Sequence, residues 1–162
     1  RKIEMEEKTN VMRILEQKKI AYQPHSYVTT DAVSGTEVAA VLGQDPKRVF
    51  KTLVTVAKSG NHYVFVIPVE KELDLKKAAK AVGEKSIDMV KSKELLGLTG
   101  YIHGGCSPIG MKKPFPTYFH ETCILFDYIY VSAGVRGLQL KINPDDLVKY
   151  VGATVCDLVS DK

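Results

Sequence analysis

Residues 49–69 read VFKTLVTVA–KSGN–HYVFVIPV, and this stretch constrains the fold more than any other. Two runs rich in β-branched residues flank a turn containing Gly60 and Asn61, which is the signature of an antiparallel hairpin. The rest of the chain must supply strands and helices to cover it. NVMRILEQKK predicts a helix with Val11, Ile14 and Leu15 on one face and Thr9 or Asn10 as cap. IAYQPHSY reads as an extended segment that Pro24 assigns to an edge or an interruption. GTEVAAVLG predicts a helix stopped by Gly43, and DPKRV one helical turn capped by Asp45.

DLKKAAKAVG predicts a helix from cap Asp74 to stop Gly83. SIDMV reads as a short strand, SKELLG as a short helix, and TGYIHG as a strand entering a glycine loop. YFHETC reads as a strand leaving into a turn. YIYVSAGVRGLQLKI predicts a second hairpin around residues 133–137. NPDDLVKYVG carries Asn143 as cap, Pro144 at the first helical position and two acids where the helix dipole favours them. TVCDLV predicts a last strand. Strands outnumber helices and several form consecutive hairpins, so regular β-α-β alternation is excluded. The expectation is a mixed α/β fold: a curved, barrel-like mixed β-sheet with flanking helices. Residues 1–8 are expected to be a flexible segment and 9–160 a single domain.

The 162 residues suffice for one ordinary core. Apolar residues at 44% and charged residues at 26% fit a globular protein rather than a disordered or coiled-coil chain. No apolar run approaches the roughly 20 residues that span a bilayer, and the polar start RKIEMEEKTN is unlike a signal peptide. Three cysteines argue against a disulfide framework and for a reducing cytosol. A net charge of +4 permits a polyanionic partner without demanding one.

The loop HGGCSPIG, residues 103–110, is the first candidate for chemistry. Gly104 and Gly105 allow a close approach of backbone to ligand, and Pro108 fixes the exit. Such a loop can aim N–H groups at a carbonyl or phosphate; it can also be a plain turn. Cys106 as nucleophile needs a base and a depressed pKa, and no cysteine-protease signature surrounds it. A small packed apolar role is the alternative. His103/Cys106 and His120/Cys123 share one internal spacing and could make a tetrahedral zinc site, although the usual zinc spacings are absent. His25 and His62 read as ordinary strand residues. Lys51 shares a strand face with Val49, Leu53, Thr55 and Ala57, so it either snorkels at an edge or is held at a site. Lys112 and Lys113 directly follow the glycine loop, where a phosphate-bearing ligand would meet them.

VFKTLV, GGCSPIG and VSAGVRG together resemble the YbaK/EbsC family of aminoacyl-tRNA deacylases, related to the editing insertion of bacterial prolyl-tRNA synthetases. The likeness runs in family order over residues 8–158. It implies a cytoplasmic hydrolase of the fold shared with those synthetase insertions. Its reaction is cleavage of the ester of a mischarged tRNA, with Cys-tRNA(Pro) as the leading substrate. The aminoacyl-tRNA acceptor end is the expected partner, and a bound prolyl-tRNA synthetase is a further one. No cofactor, metal or membrane is called for.

Carried over residue by residue, the resemblance puts the key lysine at Lys51 and the G-x-x-x-P loop at Gly104 to Pro108. The early tyrosine falls on Tyr27 and the late serine on Ser132. Gln139 stands where the best-known members have Asp; an amide can hydrogen-bond but cannot act as a base. Lys51, Gly104 and Gly105 are the catalytic candidates. Tyr27, Thr52, Ser107, Pro108, Ser132, Arg136 and Gln139 are the candidates for binding substrate, and Lys112 and Lys113 for binding tRNA phosphate. Two rivals remain at this point: a module that grips the acceptor end or a synthetase without hydrolysis, and a metal or thiol hydrolase of an unrelated substrate.

Overall fold

The computed structural model describes residues 8–161. Residues 1–7 of the segment expected to be flexible therefore lie outside the described residues. Lys8, at its end, pairs with Glu16 at 2.7 Å. Among the described residues five α-helices form: α1 (Asn10–Gln17), α2 (Gly35–Val41), α3 (Leu75–Val82), α4 (Ser92–Thr99) and α5 (Pro144–Val151). The Thr9 hydroxyl accepts from the Met12 N–H at the start of α1. Ser34 and Glu37 make a reciprocal capping box at α2. Asp74 and Asn143 cap α3 and α5, whose C-termini end on left-handed Gly83 and Gly152.

Among the described residues eight strands make two open sheets. β1 (Tyr22–Ser26), β7 (Leu138–Ile142) and β6 (Ile129–Ser132) form a three-stranded antiparallel sheet in the order β1-β7-β6. β4 (Ile87–Met89), β2 (Phe50–Ala57), β3 (His62–Pro68), β5 (Thr117–His120) and β8 (Thr154–Cys156) form the second in that order. The expected β2–β3 hairpin is antiparallel from Phe50↔Pro68 to Val56↔His62. β3–β5 and β5–β8 are parallel, so the sheet is mixed. α3 packs on one face of β3 through Ala78 and Ala79 against Phe65 and Ile67. The other face buries Val64 and Val66 with Val11 and Leu15 of α1 and Leu140 of β7. A strand covered on both sides explains why HYVFVIP is apolar nearly throughout.

Three expectations are corrected. Neither sheet closes into a barrel. They are joined by an isolated bridge, Val49–Tyr130, and by a shared core. TGYIHG is not a strand, because Thr99 completes α4 and Gly100 ends it in the left-handed region at φ 84°. DPKRV is a turn held by Asp45 rather than a helix, with the Arg48 N–H donating to the Asp45 carbonyl at 2.9 Å.

Candidate functional site

A cleft of about 500 Å³ opens where the two sheets part. Its walls come from α2, the first half of β2, β6, β7 and the glycine loop. The site candidates it brings together are Tyr27, Lys51, Thr52, Gly104, Ser132 and Gln139. They span more than a hundred residues of sequence and meet because β2 and β6 are tied at Val49–Tyr130, just before Lys51 and Ser132.

Lys51 is half-buried in this cleft. Burial pulls its pKa down, and the charge of Glu72 pulls the other way. Beside it Thr52 has a buried hydroxyl oxygen with no hydrogen-bond partner among the described residues. Across the cleft the Ser132 hydroxyl accepts the Gly134 N–H at 3.0 Å, which leaves its O–H free to donate. Tyr27 is buried, with its N–H on the Gly137 carbonyl at 2.8 Å and its carbonyl accepting from Thr30.

The glycine loop meets the cleft at His103, Gly104 and Cys106. Gly104 has φ 88°, and a Cβ there would lie 2.8 Å from Arg136 Nε. The same Nε donates to the His103 carbonyl at 2.8 Å, so Arg136 pins the loop from behind. The Gly105 N–H is spent on the Ile102 carbonyl at 3.0 Å. The N–H groups of Gly104 and Cys106 have no protein acceptor among the described residues. Ser107 and Pro108 are buried and do not line the cleft; the Ser107 hydroxyl accepts from the Ile109 N–H. Arg136 lines a smaller hollow beside Tyr27. Lys112 and Lys113 are exposed outside the cleft, Lys112 bordering a third hollow with Tyr101 and Gly134.

The Cys106 thiol is pushed up to about 12 by burial, the opposite of an activated nucleophile. The two His/Cys pairs do not converge. His120 Nδ1 accepts the Leu158 N–H at 3.1 Å, and Cys123 is buried in the core. No group of three or more metal-binding side chains forms among the described residues. The three cysteines are free.

Sequence reasoning missed the wall from α2 and the aromatic floor at Tyr130. It also missed Gln44, whose Nε2 donates to Gln139 Oε1 from a position 95 residues away. That separation leaves no local signal to read.

A family model described as "Aminoacyl-tRNA editing domain" matches residues 29–150. The chain is 44% identical over 156 residues to the "Putative Cys-tRNA(Pro)/Cys-tRNA(Cys) deacylase EbsC" of Enterococcus faecalis, covering 96% of this chain and 95% of that protein. A proline–tRNA ligase of Pelobacter propionicus is 33% identical over 85 residues, which are 52% of this chain and 15% of the ligase. A crystal structure of a "putative trans-editing enzyme for prolyl tRNA synthetase" superposes with TM-score 0.79 at 26% identity, over 93% of this chain and 96% of that one. With the family model matched over residues 29–150 and a relative matched almost end to end, the chain belongs to the aminoacyl-tRNA editing domain family.

Proposed function

We propose that the protein is a trans-editing aminoacyl-tRNA deacylase that hydrolyses the ester of a mischarged tRNA, with Cys-tRNA(Pro) as substrate. The observation that carries this reading is the convergence of Lys51, the Gly104 backbone and Ser132 on one cleft, in a chain 44% identical to a protein named for that activity. The cleft volume of about 500 Å³ is of the size that takes a small-molecule-sized group such as an aminoacyl-adenosine end. Editing is needed because a synthetase pocket separates side chains of similar size by only ~1–3 kcal/mol.

Ester cleavage without a protein nucleophile needs a placed carbonyl, a stabilised oxyanion and a nucleophile from substrate or water. Lys51 holds the terminal adenosine or the ester by charge-assisted hydrogen bonds. The N–H groups of Gly104 and Cys106 stabilise the carbonyl oxygen as it becomes an oxyanion, while Gly105 and Pro108 shape the loop that presents them. Tyr27, Thr52, Ser132 and Gln139 orient the aminoacyl group. The substrate's own thiol attacks when cysteine is attached; a held water attacks otherwise. Lys51 as general base fits less well: a free lysine stays protonated well above neutral pH, and although burial pulls the Lys51 pKa down, the charge of Glu72 opposes that fall.

Arg136 acts here through the loop it pins, and Lys112 and Lys113 reach tRNA phosphates beyond the cleft rather than the reacting ester. A cytoplasmic location and a bound prolyl-tRNA synthetase follow as parts of the same proposal. No helix among the described residues is long and apolar enough to cross a membrane. The test is a single-turnover assay with a panel of charged tRNAs. Release of cysteine from Cys-tRNA(Pro) well above the spontaneous rate supports the proposal; binding of the tRNA without release refutes it in favour of a non-hydrolytic module.

A further inference from the structure

Arg48 ends the turn that leads into β2, three residues before Lys51. Its N–H donates to the Asp45 carbonyl at 2.9 Å and so belongs to that turn. Its other hydrogen bonds go to the chain entering β6. The Arg48 carbonyl accepts the Tyr130 N–H at 2.8 Å, beside the Val49–Tyr130 bridge. Its guanidinium reaches one step further back. Nη1 donates to the Tyr128 carbonyl at 3.0 Å and to Asp127 Oδ1 at 3.1 Å. The same guanidinium lies against two rings, 4.1 Å from the centroid of Tyr128 and 4.7 Å from that of Phe126. A planar cation suits both kinds of contact at once, which a lysine ammonium does not.

This clamp supplies what the strand ladder leaves out. β6 is the edge of its sheet, and its ladder runs to β7 alone. That ladder sets Ser132 against Gln139; it does not set how far Ser132 stands from β2. Ile129 and Val131 point into the core, while Tyr130 and Ser132 alternate with them and line the cleft. Lys51 therefore follows one jaw of the clamp by three residues, and Ser132 follows the other, at Tyr130, by two. A shift of the β6 entry against the β2 entry changes the gap that the ester must fill.

We propose that Arg48 is a positioning residue for the deacylase site: by gripping the Tyr128 carbonyl and the Tyr130 N–H it sets the distance of Ser132 from Lys51 across the cleft. This rests on the deacylase reading above and adds a residue outside the cleft on which its geometry depends. Arg48 itself touches no substrate.

The experiment is a double-mutant cycle on Cys-tRNA(Pro) turnover, with thermal melts in parallel. Arg48→Met keeps an apolar stem between the two rings and removes the guanidinium. It should lower kcat about tenfold with KM within about twofold, because a misplacement of fractions of an ångström is felt in the transition state. Ser132→Ala should cost at least about tenfold by itself, the scale of one lost hydrogen bond. In that background Arg48→Met should cost less than about twofold more, since the hydroxyl it places is gone. Arg48→Lys, which keeps the charge and can make one of the two bonds, should fall between native and Arg48→Met. Asp127→Asn removes only an exposed ion pair and should stay within about twofold of native.

A merely structural Arg48 would lower Tm and leave kcat within threefold, and that result overturns the proposal. So does an equal loss in both backgrounds, a change confined to KM, or a silent Ser132→Ala. If Arg48→Met does not fold, as judged by melting, Arg48→Lys carries the same cycle: a loss of at least about twofold that vanishes in the Ser132→Ala background supports the proposal, and any other result overturns it. Native turnover with additive losses sinks this inference and leaves the deacylase reading intact. No turnover by the native protein sinks both.

Discussion

Gly104→Ala separates a backbone that does chemistry from a backbone that merely turns. The residue has φ 88°, where a side chain is strained, and the new Cβ would lie 2.8 Å from Arg136 Nε. Left-handed strain costs about 1–3 kcal/mol. The contact is with the flexible end of an arginine, so it is relieved by moving Arg136, which breaks the 2.8 Å bond to the His103 carbonyl. That bond is exposed and adds little. A loss of about 2 kcal/mol lowers Tm by roughly 4–8 °C in a chain of this size and leaves it folded at 25 °C. Chemistry is less forgiving. Removing or misplacing one oxyanion donor lowers kcat by about 10²–10³.

The control is Gly110→Ala in the same loop. Gly110 has φ 74° and its Cβ would meet Ile14 Cδ1 at 2.9 Å, but it does not line the cleft. Both variants should therefore lose similar Tm, while only Gly104→Ala loses kcat, with KM nearly unchanged. Deacylation kinetics and thermal melts on the pair provide the comparison. Gly104→Ala with kcat within threefold of native, or Gly110→Ala with an equal loss, would refute a role for this backbone in stabilising the oxyanion.

Three further outcomes are expected. Cys106→Ala should leave kcat/KM within about threefold, and Cys106 should resist alkylation at pH 7.5, because a thiol pushed up to about 12 is almost wholly protonated there; a loss of several orders of magnitude would restore it as nucleophile. Arg136→Ala should lower kcat about tenfold with little change in Tm, since it frees the His103 carbonyl and loosens the loop by fractions of an ångström; a pure KM effect would instead mark Arg136 as a substrate contact. Stability should fall with acidification. Burial holds the pKa of His120 below the ordinary 6.5, partly offset by Asp157 and Glu121, and its Nδ1 must stay unprotonated to accept the Leu158 N–H. The unfolded chain takes up this proton near pH 6.5 while the folded chain resists. The contribution is thus present above about 6.5 and is lost as pH drops below it, His25 acting in the same direction. A Tm that stays flat from pH 8 to pH 5 would contradict this.

The parts of the fold legible in the sequence are those with local causes. Thr9, Asp74 and Asn143 start helices because their side chains reach N–H groups within three residues, and Gly83 and Gly152 end them by taking positive φ. The β2–β3 and β6–β7 hairpins announce themselves through their turns. The parallel pairings of β5 with β3 and β8 have no such marker, since the partners are brought together only by the packed core. TGYIHG misled because Tyr101 and Ile102 look extended, while Thr99 hydrogen-bonds back to Leu95 and belongs to α4. In the site, Lys51, Tyr27, Ser132 and Gln139 were reached through family likeness, since nothing in periodicity alone distinguishes Lys51 from an edge lysine. The Gln44–Gln139 contact, 95 residues apart, needed the folded chain.

The central claim is that Lys51 and a carbonyl-binding backbone, with no protein nucleophile, cleave an aminoacyl-tRNA ester. Lys51→Ala tests it most directly, with release of cysteine from Cys-tRNA(Pro) followed alongside thermal melting. Lys51 is half-buried on an otherwise intact β2–β3 ladder and burial disfavours its charge, so removing it should leave Tm within a few degrees of native. Cysteine release should fall by about 10³ or more, the scale of losing a charged group at the reacting ester. Release within tenfold of native, in a protein that melts normally, would contradict the account.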